Sequence, residues 1–189
     1  MKIIFLDIDG VLNCEDAFKD GSRIRYKDYK DISYKTFYKP SKILINKLIE
    51  ETGAKIVISS TWRKSGIDFI RKVWESENMS GEIIGITPNF SGETNFTLPR
   101  GLEIKQWLEK KELRQIFWCK EMQQEYIDKS KIENFIIIDD DSDMLYNQRQ
   151  HFIHVKPAPR NTSGFNESHY KKGLEVLNKN LIELYYENH

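Results

Sequence analysis

The chain has 189 residues and 39% hydrophobic content, enough to bury one core and short for two, so a single domain over 1–189 carrying insertions is expected. Lys plus Arg and Asp plus Glu both number 29, which leaves no net field to draw in nucleic acid or an acidic membrane; any anion recognition has to be local. Cys14 and Cys119 are too few for a disulfide framework and lack metal-ligand spacing, and no apolar stretch approaches the roughly 18 residues of a membrane span, so a reducing, cytoplasmic setting is expected.

The first element is KIIFLDI, Lys2 to Ile8, a β-branched run without polar alternation, the pattern of a strand buried on both faces. Residues 14–40 follow before any helical spacing begins and read as a flap or small cap insertion. From Gly21 to Pro40 six basic residues stand against two acidic ones, interleaved with Tyr26, Tyr29, Tyr34, Phe37 and Tyr38. That composition suits a phosphorylated, aromatic or polymeric ligand, and equally a solvated hairpin. SKILINKLIEETG predicts a helix with Ser41 as N-cap, Gly53 as stop and a stripe through Ile43, Leu44 and Leu48. KIVIS, Lys55 to Ser59, is the next strand, IDFIRKVWESE a helix burying Ile67, Ile70, Val73 and Trp74, and EIIGIT, Glu82 to Thr87, a further strand. GLEIKQWLEKKEL is helical, and residues 111–131 delay the following strand as a second insertion. Phe135 to Ile138 and Phe152 to Val155 complete the strands, and YKKGLEVLNKNLIELYY closes the pattern as a helix. The alternation predicts right-handed crossovers and a Rossmann-like α/β fold, a central parallel sheet with helices on both faces. The ending LIELYYENH has no obvious terminator, which leaves room for partner domains beyond residue 189.

Ligands of open α/β sheets gather outside the carboxyl ends of the strands. There the first strand delivers Asp7, Asp9 and Gly10, the second Ser59, Ser60 and Thr61, and the fourth Asp139, Asp140 and Asp141, with Asp143 just beyond. Converging carboxylates repel unless a cation sits among them. Oxygen ligands without His or Cys select Mg²⁺ before Ca²⁺ or Zn²⁺, and Mg²⁺ so held keeps positions for water and a phosphate oxygen, which points to phosphoryl transfer. A lone DxD is more often a surface turn, but the preceding strand, the following glycine and the distant Asp cluster reverse that weighting. Trp62 reads as a core or loop anchor, Trp107 and Trp118 as packing residues, and His151, His154, His169 and His189 as neutral structural groups.

FLDIDGVLN, IVISSTWR and IIIDDDSDM, in that order between residues 5 and 144, resemble the first, second and fourth motifs of the haloacid dehalogenase superfamily of aspartate-dependent phosphatases. SSTWR, RGLEIKQWL and the GF after the last strand are similar, on shorter strings, to the branch found as phosphatase domains in RNA-repair proteins. The resemblance implies Asp7 as nucleophile and Asp9 as general acid and base with its backbone carbonyl toward the metal. It also implies Gly10 as the turn under the phosphate, and Ser59 as a donor to phosphoryl oxygens beside the amides around Ser60. For Mg²⁺ it implies Asp139 as principal ligand with Asp7 and Asp9, and Asp140 or Asp143 holding a metal-bound water or orienting a partner. The family's third motif, a Lys or Arg that neutralises the phosphate, falls to Arg100, then Lys105, with Arg63 as competitor. Asp9 further implies phosphoester hydrolysis, since related transport ATPases carry Thr there and the dehalogenases lack the acid.

The expectation is a Mg²⁺-dependent phosphomonoester phosphatase acting on an exposed phosphate of a large substrate, because the insertions are short for a lid. A phosphoprotein, phosphotyrosine included, stands slightly ahead of an RNA or nucleotide end because the net charge is zero. A phosphate-recognising module without catalysis and a phosphotransferase are the rival readings.

Overall fold

The apolar runs assemble into one sheet. A computed structural model describes residues 1–19, 26–29, 32–90, 98–109, 132–157 and 159–179, with Ile182 and Tyr185. Its strands are β1 (Lys2–Leu6), β4 (Lys55–Ile58), β5 (Ile83–Ile86), β6 (Asn134–Asp139) and β7 (Phe152–His154), in the spatial order β5-β4-β1-β6-β7. All four pairings are parallel. The chain moves outward from β1 through β4 to β5, then crosses back to β6 and β7, so the strand order reverses between β1 and β6. That reversal opens a crevice at the carboxyl ends of these two strands.

Alternate residues of each strand face opposite sides of the sheet. Ile4, Leu6, Ile56, Ile58, Ile136 and Ile138 pack under three helices, α2 (Lys39–Thr52), α3 (Ile67–Ser76) and α5 (Glu167–Leu177). On the other side, Ile3, Phe5, Val57, Phe135 and Ile137 meet Ile104, Trp107 and Leu108 of α4 (Arg100–Glu109). Phe5 lies edge-on to Trp107 at 5.3 Å and to Phe135 at 5.8 Å between ring centroids. Each such fully buried side chain contributes on the order of 1.5–3 kcal/mol, so the strand roots that carry the site residues are the most firmly held part of the fold.

The expected elements are present with two local corrections in α2 and one in α5, which starts at Glu167 behind the Asn166 cap and ends at Leu177 with Asn178 as C-cap, rather than running on unbroken through LIELYY. Helix α2 begins at Lys39 rather than behind Ser41, with Tyr38 as an N-cap that makes no side-chain capping bond. Pro40 is at home in that first turn, where a missing N–H costs nothing, and Ser41 lies buried inside the helix with its hydroxyl donating to the Ser163 carbonyl at 3.1 Å. The buried face runs through Ser41, Ile45, Leu48 and Ile49, whereas Ile43 is 54% exposed. Gly53 ends the helix in the left-handed region at φ 64°, its N–H donating to the Ile49 carbonyl.

Within 14–40 the chain forms a short helix, α1 (Asp16–Lys19), and an antiparallel hairpin of β2 (Tyr26–Tyr29) and β3 (Ile32–Lys35) outside the main sheet. The whole of the 111–131 stretch, with Cys119 and Trp118, lies outside the described residues, while Cys14 is buried in the core. Among the described residues no helix is long and apolar enough to cross a membrane.

Candidate active site

The crevice between β1 and β6 is where the charge collects. Asp7 follows β1 directly, its N–H still bonded to the Ile138 carbonyl at 2.9 Å, and Asp139 is the last residue of β6. They are 5% and 0% exposed. Carboxylate oxygens of Asp7, Asp139 and Asp140 lie within 4.8 Å of one another. Burial raises the Asp7 carboxyl well above its ordinary range; the Asp139 charge adds to this, and Arg100 opposes it. Burial likewise lifts Asp139 to about 7, against the pull of Arg100.

Arg100, the first residue of α4, places Nη1 3.5 Å from Asp7 Oδ1 and Nε 3.8 Å from Asp139 Oδ2. The helix starts at that point because Asp143 Oδ2 accepts the Arg100 backbone N–H at 2.8 Å, a carboxylate at a helix N-terminus. Gly101 then lets α4 close on the 145–148 turn, since a Cβ there would sit 2.5 Å from Leu145 N.

Gly10 turns the chain under the cluster at φ 82°, and a Cβ on it would lie 2.3 Å from the Asp140 carboxylate. The turn is tied by Leu12 and Asn13 N–H groups to the Ile8 carbonyl and by Gly10 N–H to the Asn13 carbonyl. Asp9 faces solvent, with Asn13 Nδ2 donating to Oδ1 at 3.2 Å and the Trp62 indole N–H to Oδ2 at 2.9 Å.

From β4 come Ser59 and Ser60, both fully buried. The Ser59 N–H bonds the Leu6 carbonyl, and its hydroxyl has no hydrogen-bond partner among the described residues. Ser60 Oγ accepts the Trp62 N–H at 3.4 Å and so caps the 3₁₀ turn Thr61–Ser65.

Of the four carboxylates expected around a metal beside the Asp9 backbone carbonyl, three converge: Asp7, Asp139 and Asp140. The Asp9 and Asp143 side chains do not join them. The first is held by Trp62 and Asn13, and the second caps α4. Of the three expected cations, Arg100 reaches the cluster. Lys105 instead lies 3.6 Å from Glu109 along the helix. Arg63 is buried, with Nη2 2.6 Å from Glu103 and Nη1 donating to the Ser59 and Ser60 carbonyls, so it grips the loop rather than facing a ligand. His151 stacks on Phe135 at 4.0 Å with Nδ1 2.8 Å from the Phe135 carbonyl, a structural place. The roles of Trp62, Asn13 and Glu103 were not legible beforehand, although Asn13 stands four residues from Asp9 and Trp62 three from Ser59.

The donor set fits Mg²⁺. All three converging groups are hard oxygen ligands, and Asp139 Oδ2 is buried without a hydrogen bond from any described residue. Two expected outcomes follow from the crowding. In chelator, the raised Asp139 pKa contributes stability present below about pH 4, its unfolded range, and lost as pH rises through about 7. Thermal melting against pH should therefore show metal-free protein weakening over that window, and Mg²⁺ should flatten the slope. Gly10→Ala must take up a left-handed conformation and displace Asp140; Mg²⁺ titration should show affinity reduced roughly 10–100-fold.

Neither a curated protein nor a solved structure matches the chain. A family model described as the HAD domain in Swiss Army Knife RNA repair proteins matches residues 3–169, from β1 into α5, and spans every residue of the carboxylate cluster together with Arg100, Ser59 and Ser60. The chain belongs to that family of haloacid dehalogenase domains.

Proposed function

We propose that this protein is a Mg²⁺-dependent phosphomonoesterase that transfers a terminal phosphate of RNA to Asp7 and then to water. The observation that carries the reading is Asp7 itself, a buried carboxylate at the switch point, flanked by a guanidinium and two further carboxylates. An Asp7 oxygen attacks phosphorus as the bond to the leaving oxygen breaks, and Asp9 gives that oxygen its proton. Asp9 then takes a proton from water, which attacks the aspartyl-phosphate at phosphorus and frees Asp7 and inorganic phosphate. Arg100 and the Ser59 hydroxyl hold the non-bridging oxygens as charge builds on them. Mg²⁺ on Asp7, Asp139 and Asp140 would neutralise the phosphoryl charge and relieve the repulsion among these groups.

The RNA end is preferred to the phosphoprotein because the family is described by RNA repair. Zero net charge does not oppose it: a terminal phosphate needs only local recognition, and residues 21–40 carry six basic groups against two acidic ones. The test is a panel of 3′- and 5′-phosphorylated oligoribonucleotides, phosphotyrosine and phosphoserine peptides, and p-nitrophenyl phosphate, each with Mg²⁺ and with chelator. The expected result is Mg²⁺-dependent release of phosphate, with kcat/KM highest for one of the RNA ends. A phosphopeptide ahead of both RNA ends would replace the substrate, and turnover surviving chelation would remove the metal from the account.

A further inference from the structure

We propose that Arg63 and Glu103 form a positioning pair, locking the phosphate-binding turn after β4 to the helix that carries Arg100. This rests on the phosphatase reading above. The two side chains come from separate elements 40 residues apart and meet at 2.6 Å, and both residues are almost wholly buried, at 7% and 3% exposure.

Each end of the pair is fastened to the site. Arg63 Nη1 donates to the Ser59 carbonyl at 3.2 Å and to the Ser60 carbonyl at 2.9 Å. In a trans peptide the C=O of one residue and the N–H of the next point in opposite directions. Drawing both carbonyls toward Arg63 therefore turns the Ser60 and Thr61 N–H groups the other way, and neither donates to a described residue. Two aligned, unspent N–H groups beside a buried hydroxyl are an anion-binding turn. At the other end, Glu103 sits one turn along α4 from Arg100, and its second oxygen accepts the Phe90 N–H at 3.3 Å. Glu103 thus fixes how α4 lies against the β4 turn, and with it where Arg100 stands relative to Asp7.

Stability alone is a poor reason for such a pair. Burial pushes the Arg63 guanidinium down and the Glu103 carboxyl up, so each stays charged by virtue of the other. Apolar side chains of similar size commonly replace buried ion pairs without loss. What apolar side chains cannot do is hold two carbonyls on one side of a turn while gripping a helix.

The experiment uses the full chain with Mg²⁺ and orthovanadate, which mimics the phosphoryl group in flight. Arg63→Lys keeps a cation opposite Glu103 but loses the fork. Glu103→Gln turns an NH2 group toward either Arg63 or the Phe90 N–H. Both should melt cooperatively, with vanadate inhibition and kcat each weakened roughly 10–100-fold and KM for p-nitrophenyl phosphate moving less than kcat. In Arg63→Ala, millimolar guanidinium should restore vanadate inhibition. Folded variants inhibited and turning over like the parent would overturn the positioning role, as would a loss that only tracks the unfolded fraction. A parent that vanadate leaves uninhibited would instead overturn the phosphatase reading.

Discussion

Asp7→Asn is expected to lower phosphate release by about 10⁴-fold or more, the scale seen when a nucleophile is removed from a cooperating set. The amide matches the carboxylate in shape, so the strand end, with its N–H bonded to Ile138, has no reason to move. Charge is what changes. The Asp7 carboxyl is lifted well above its ordinary range, by burial first and by Asp139 next. Taking its charge away relieves that repulsion, so the variant should melt above the parent in chelator and gain less from added Mg²⁺. Loss of turnover with a rise in metal-free melting temperature separates a lost nucleophile from a damaged fold. A fall in both would point to a structural role for Asp7.

Asp9→Asn is expected to cost about 10²- to 10⁴-fold in kcat, the usual worth of a positioned acid and base. The loss should depend on the leaving group. An alcohol leaving group, as at a ribose hydroxyl, needs the proton and should show the full effect. p-Nitrophenol leaves as a stable anion and should show much less in the first step. The environment adds a second consequence. Trp62 Nε1 and Asn13 Nδ2 each donate to one oxygen of Asp9, and an Asn in its place would turn an NH2 group against one of those donors. The side chain should therefore rotate out of the resting position as well as lose its proton. Equal losses for alkyl and aryl phosphates in the first step, read as the rate of leaving-group release in a single turnover, would argue against Asp9 as the acid.

The sheet was legible because fully buried strands leave an unmistakable trace: β1, β4 and β6 are largely Ile, Val, Leu and Phe, with Asp7 directly after β1, Ser59 and Ser60 directly after β4, and Asp139 closing β6. Asp7 and Asp139 could be brought together from the sequence because both were expected at the carboxyl ends of parallel strands, where ligands gather; that their strands are neighbours comes from the sheet order. The α2 boundary was less legible, since Pro40 supports an early start as well as Ser41 supports a late one. The cation was harder still. Arg63, Arg100 and Lys105 carry the same charge, and their separation depends on geometry: Arg100 opens α4 beside the crevice, Lys105 follows the helix toward Glu109, and Arg63 meets Glu103. Glu103 had no local pattern to announce it, because its partner is 40 residues away in sequence. Asp143 shows the opposite limit. The string DDDSD suits metal ligation and a helix N-terminus alike, and Asp143 takes the second of these places.

The most direct measurement is acid-quenched single turnover with a ³²P-labelled terminal phosphate on RNA, followed by peptide mapping. Label is expected on the peptide that holds Asp7, lost in alkali or hydroxylamine as an acyl phosphate must be, and absent from Asp7→Asn. Full phosphate release by Asp7→Asn, or parent protein that turns over substrate while no labelled aspartate is ever trapped, would contradict the aspartyl-phosphate mechanism.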